Sequence, residues 1–152
     1  MDANPIAAAR QLIDANQYVT LATADADGRP WASPVWFAHK GYTEFVWLSR
    51  PEAQHSRNIA QRSEVGFVIF DSTVPPLTGK AVYAEALAQE VEESDVPEAL
   101  ATFNAREAAV GIGRLGLGDV TGDGNFRLHR ARATQLYYLD DHDHRVPFDP
   151  GA

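Results

Sequence analysis

The sequence predicts a mainly β fold, an antiparallel β-barrel with peripheral helices, and three observations lead there. Short runs of β-branched and aromatic residues recur along the chain, the early connections are too short for a parallel crossover, and strand and helix do not alternate regularly. A doubly wound sheet is thereby excluded. Closure into a barrel also removes most of the exposed strand edges.

The elements follow in order. Ile6, Ala9, Leu12 and Ile13 recur at helical spacing between Pro5 and Asn16, which predicts an amphipathic helix. Tyr18 to Thr23 has strand character, and Asp27-Gly28 favours a tight turn into a second strand, Pro30 to Ala38. In that strand Trp31, Ser33, Val35 and Phe37 share one face, and Pro34 implies an edge or bulged position. Glu44 to Leu48 completes a three-stranded meander. Ser49-Arg50-Pro51-Glu52 has the composition of a helix start, a capping Ser with Glu three residues on, for a helix reaching about Arg62.

Val65 to Phe70 is apolar on both faces, so a buried central strand is expected. Gly79 to Val91 is a strand pair or one strongly curved strand. Ser94 to Glu98 starts a second capped helix, to about Glu107, with Val96, Leu100 and Phe103 on its apolar stripe. A Gly-rich loop leads to the last β segment, Phe126 to Leu139.

Composition bounds the function. The chain has 152 residues, 45% hydrophobic and 22% charged. That length suits one domain with one core, burying about two-thirds of its unfolded surface. No apolar run approaches the ~20 residues of a membrane helix. Without cysteine there is no disulfide framework, thiolate metal site or thiol nucleophile. The acidic N-terminus, Met1-Asp2-Ala3, is unlike a secretory leader, so a cytoplasmic protein is expected. Thirteen Lys and Arg against twenty-one Asp and Glu give a net charge of -8. That sign disfavours nucleic acid and anionic membrane as partners, and any bound anion must meet a local basic cluster.

Several motifs match chemistry in letters only. Gly111-Ile112-Gly113-Arg114-Leu115-Gly116 fits the dinucleotide fingerprint, but a helix precedes it where a strand is needed. Asp119, Thr121, Asp123 and Gly124 begin like a calcium loop, yet the twelfth position is Arg130, not a bidentate Glu. Asp140-Asp141-His142-Asp143-His144 is expected to be a solvated turn, so no metal site is predicted. No Ser, His and Asp sit in a nucleophile-elbow context.

One cluster remains. An aromatic-rich strand pair is followed by Ser49, Arg50, His55, Ser56 and Arg57 at the start of a helix. Unpaired N–H groups, hydroxyls and guanidinium groups there can hold a phosphate. On periodicity alone, Trp31, Trp36 and Trp47 read better as core aromatics, and Arg50 and Arg57 as a solvated helix face.

A resemblance shifts that balance. Thr20-Leu21-Ala22-Thr23, Asp27-Gly28-Arg29-Pro30 and Ser33-Pro34-Val35-Trp36-Phe37 are similar to the opening of pyridoxamine-phosphate-oxidase-like flavoproteins. Trp47-Leu48-Ser49-Arg50, His55-Ser56-Arg57-Asn58-Ile59, Val65 to Phe70, Gly79-Lys80-Ala81-Val82 and Phe126 to Leu139 continue it over residues 6–140. The resemblance implies a six-stranded antiparallel split β-barrel of the FMN-binding type, as one domain over 1–152 with a 141–152 tail. It implies FMN as cofactor, with a deazaflavin as the alternative on the same fold.

Carried onto this chain, the family pattern places Ser33, Pro34, Val35 and Trp36 along the isoalloxazine edge and Trp47, Leu48 and Ser49 beside the ribityl chain. Arg50, His55, Ser56 and Arg57 fall at the phosphate, with Lys80 from the next strand. His55 stands where many relatives carry Lys, and a neutral imidazole gives a phosphate less charge. The implied function is an oxidoreductase transferring hydride to or from a small molecule, in a homodimer with cofactor at the subunit interface. A non-catalytic flavin-binding or storage protein is a further alternative, and no catalytic residue is assigned.

Overall fold

The computed structural model describes residues 4–110 and 114–151. The elements are α1 (Pro5–Ala15), β1 (Tyr18–Ala24), β2 (Pro30–Lys40), β3 (Glu44–Ser49), α2 (Gln54–Gln61), β4 (Glu64–Phe70) and β5 (Ala81–Glu90). A 3-10 turn (Glu93–Asp95), α3 (Val96–Val110), α4 (Leu117–Val120), β6 (Arg127–Leu139) and β7 (Arg145–Phe148) follow. All pairings are antiparallel, in the order β3-β2-β1-β4-β5-β6-β7, and β3 pairs β6 to close a six-stranded barrel. The predicted barrel of six strands is therefore present. No helix among the described residues is long and apolar enough to cross a membrane.

Two clusters make the core. Inside the barrel, Leu21, Phe37, Phe45, Trp47, Phe67, Ile69 and Val82 pack with Ala9 and Ile13 of α1, which plugs one end. Outside it, Val96, Leu100 and Phe103 of α3 cover Val46 and Leu128, joined by Val120 of α4. Where β3 and β6 run between the two clusters, Ser49, His129 and Arg130 are buried as well.

Five features correct or sharpen the sequence reading. Ser49 does not cap α2: it is the last residue of β3, opposite Arg127 of β6, and Ala53 precedes the helix with no side-chain cap. Ladder pairing has claimed the candidate cap. Ser94 likewise lies in the 3-10 turn, and α3 begins at Val96. β4 is buried on one face only, through Val65, Phe67 and Ile69, while Phe70 is 47% exposed on the other. Gly79 to Val91 resolves to the single strand β5, with a register shift against β6 between Glu85 and Ala86.

The fifth is the tail, which contains β7, paired with β6 through Leu136↔Phe148 to Leu139↔Arg145. Asp140 makes this hairpin by accepting the backbone N–H groups of His142 and His144. That carboxylate is thus used in a turn, and no group of three or more metal-ligating side chains occurs among the described residues. In the Gly-rich loop, Gly116 is the cap of α4 and its N–H binds the Asp119 carboxylate at 2.8 Å. Gly111 to Gly113 lie outside the described residues.

Candidate ligand site at the split of the barrel

The barrel splits between β2 and β3. β3 pairs with β2 only from Phe37 to Lys40, whereas β1 pairs with β2 from Trp36 down to Pro30. The Phe37 N–H donates to the Gln17 carbonyl on the β1 side, so ladder alternation turns the Pro34 carbonyl and the Trp36 N–H toward the other edge. Pro34, lacking an N–H, suits an edge.

α2 closes the open end below this edge. Its His55 reaches both parted strands, with Nδ1 3.1 Å from the Ser33 hydroxyl and Nε2 2.7 Å from the Ser49 hydroxyl. A neutral ring satisfies both, accepting from one serine and donating to the other. Burial lowers the His55 pKa, which favours that neutral form. Next to it, Asn58 donates to the Thr23 hydroxyl at 3.0 Å, Gln54 to Asn58 at 2.8 Å, and Arg57 to Gln54 at 2.8 Å. This chain of bonds fixes the helix on β1.

The other flank of α2 faces the ends of β5 and β6. Ser56, Arg57, Ile59 and Ala60 there line a cavity of about 360 Å³ with Glu90 and His129. That is at the small end of ligand pockets, about 300–1,000 Å³. Ser56 is 4% exposed and His129 3% exposed. Neither the Ser56 hydroxyl nor His129 Nδ1 has a hydrogen-bond partner, although buried polar groups nearly always do. His129 stacks on Trp47 with ring centroids 5.9 Å apart, and Trp47 Nε1 is also unpartnered. Desolvation, then the neighbouring His55, bring the His129 pKa down to about 4, against an opposing hydrogen bond to the Arg127 backbone.

The predicted residues divide accordingly. Ser33, Ser49 and His55 form one hydrogen-bonded unit, and Ser56 and Arg57 meet on the far side of α2. Pro34 lies exposed on the edge, while the Val35 side chain is in the core. Trp36 packs edge-on against Phe103 at 5.1 Å and donates to Gln17, and Leu48 packs on the α3 cluster. Arg50 lies over the Phe126 ring at 4.9 Å. Lys80, just before β5, pairs with Asp141 at the opposite end of that strand from Glu90. The sequence reading missed His129, because strand alternation gives no sign that α2 and Trp47 enclose it.

A flavin phosphate can be tested against these residues. A buried hydroxyl without a partner, beside an exposed guanidinium in one cavity, fits a phosphate oxygen, and the β2 edge offers one donor and one acceptor to a planar ring. The residues fit the group.

A split antiparallel barrel with a polar cleft under a short helix is the class of protein that this geometry defines. The pyridoxamine 5'-phosphate oxidase family profile matches residues 6–140, and the chain belongs to that family. No curated protein matches in sequence. Solved structures share the fold. A heme binding protein from Mycobacterium smegmatis matches with TM-score 0.74 and 21% identity over 99% of this chain, which spans 60% of that protein. HutZ, a heme storage protein from Vibrio cholerae, matches with TM-score 0.67 and 24% identity over 89% of this chain and 95% of its own. An FAD-binding protein from Mesorhizobium loti matches with TM-score 0.65 and 14% identity over 90% of this chain and 92% of its own.

Proposed function

We propose that the chain binds FMN at the split of the barrel and acts as an oxidoreductase on a small molecule. The observation that carries this reading is the buried, unpartnered Ser56 hydroxyl beside Arg57. Family membership supports the cofactor class. In this reading Ser56 and Arg57 hold the phosphate, and the Pro34 carbonyl and Trp36 N–H orient the ring rim. Ser33 and Ser49, held by His55, set the polar wall between them. Bound flavin supplies hydride transfer, while the protein supplies orientation and electrostatics.

The partner is a second copy of the chain. On the outer barrel face, Thr20, Val68, Tyr83 and Tyr137 form one cross-strand row, and Ala22, Gly66 and Glu85 the next. The small residues leave a groove of about 580 Å³. Tyr18 is 57% exposed and Phe70 47%, apolar surface that a self-complementary interface would cover. Light scattering on the eluting protein is expected to give twice the chain mass.

The deciding experiment is an absorption spectrum of the purified protein, alone and titrated with FMN, deazaflavin and hemin. Saturable FMN binding at micromolar concentration is expected. A protein that takes up only deazaflavin or hemin, or none of the three, overturns the reading.

A further inference from the structure

We propose that the groove on the outer barrel face is a second small-molecule site, separate from the flavin site, and that it takes a planar aromatic carboxylate: the ring lies on Ala22 and Gly66, and the carboxylate meets Arg145. This site does not depend on the flavin reading above.

Gly66 has no backbone reason to be glycine. It lies inside β4, where glycine weakens a strand, and it is not among the glycines at positive φ. An added Cβ would meet nothing nearer than the Ala84 carbonyl oxygen at 3.6 Å, an ordinary contact. Glycine in a strand often marks the close approach of a ligand or of another backbone. With Ala22 opposite it on β1, Gly66 makes the floor of a groove of about 580 Å³, well inside the range of ligand pockets, about 300–1,000 Å³.

The walls carry the chemistry. Tyr83 and Tyr137 pair on the next cross-strand row and supply aromatic surface. Arg145 of β7 lies over the Tyr83 ring, 5.7 Å from its centroid, and its guanidinium makes no hydrogen bond or ion pair among the described residues. Glu85, the acid of the groove, accepts the Tyr137 hydroxyl at 2.9 Å. An apolar bed for a flat ring therefore ends at an uncommitted cation. Such a guanidinium binds a carboxylate through two parallel hydrogen bonds. A phosphate dianion would face Glu85 with only that one cation to hold it, so the charge suits a monoanion. A second copy seated on Tyr18 and Phe70, beyond the Thr20–Val68 row, roofs the groove and leaves its floor open to the ligand.

The test is calorimetric titration of the whole protein with 2-naphthoate and with 2-naphthamide, its uncharged analogue. The carboxylate is expected to bind once per chain and at least tenfold more tightly than the amide, as a hydrogen bond between charged groups requires. Arg145→Gln should remove that preference and leave the amide unchanged. Gly66→Leu, which fills the floor, should abolish binding of both, with FMN binding unaltered. Saturating FMN should not displace the naphthoate.

Equal affinity for the two probes, displacement by FMN, or no binding because the second copy fills the groove overturns the proposal and leaves the flavin reading standing. Should Gly66→Leu not fold, the preference of the wild type and its loss in Arg145→Gln, a change at an exposed side chain, still decide. Failure of FMN to bind overturns the flavin reading alone.

Discussion

His55 Nε2 lies 2.7 Å from the Ser49 hydroxyl, just past the point where β2 and β3 cease to pair. The other ring nitrogen takes Ser33 on the opposite strand, so one side chain spans the seam that gives the barrel its cleft. The imidazole that looked like a weak phosphate ligand in the sequence has both nitrogens engaged by the protein itself.

His55→Ala removes two hydrogen bonds and leaves two serine hydroxyls at a partly buried seam. A loss of about 1–3 kcal/mol in unfolding free energy is expected from urea denaturation. Weaker FMN binding should accompany it, because Ser33 and Ser49 are no longer held.

Arg57→Ala should weaken FMN binding by about 1.5–3 kcal/mol, the size of a hydrogen bond to a charged group, and leave riboflavin affinity nearly unchanged. Fluorescence titration with the two flavins checks this. Equal losses for both would place the guanidinium away from the phosphate.

Acid should destabilise the fold through His129. Its folded pKa, about 4, lies below the unfolded value near 6.5, so the unfolded chain binds the extra proton first. The stability it contributes is present above about pH 6.5 and is lost as pH falls toward about 4, an effect of about 3 kcal/mol. Denaturation midpoints across that range should fall less steeply in His129→Phe.

The clasp between α1 and the β2–β3 turn makes a second acid-sensitive point. Asp14 accepts from Tyr42 at 2.6 Å and bonds His39 at 2.8 Å. Burial raises its pKa, but these two hydrogen bonds outweigh burial and leave it below the usual carboxylate range. That contribution holds above about pH 4 and is lost as pH falls through the folded value. Tyr42→Phe should cost about 1 kcal/mol at pH 7, with a smaller further loss on acidification. Tyr42 itself sits at φ 60, so Tyr42→Gly relieves backbone strain while losing the same bond.

Gly124 explains part of the Gly-rich loop without any nucleotide. A Cβ there would overlap the carbonyl oxygens of Gly118 and Asp119, backbone atoms that cannot easily move. Gly124→Ala should therefore destabilise by about 1–3 kcal/mol, with amide exchange quickening first around α4.

Local chemistry made most of this legible in the sequence. The two-residue period of β1 and β2, the short turns, the amphipathic spacing of α1 and α3 and the family pattern over 6–140 mark which segments are strands and helices, their order along the chain and the β1–β2–β3 meander, since each is set by residues close together. The family pattern also marks Ser33, Ser49 and the 55–57 cluster. Tertiary structure decided what those residues touch. Ser49 is a strand end because β6 pairs with it, His55 faces inward because β2 and β3 part above it, and Ser56 and His129 share a cavity because α2 lies across β5 and β6. Ser33 and His55 lie 22 positions apart, Ser56 and His129 73, and Ser49 and Arg127 78, a range over which neither propensity nor periodicity carries information.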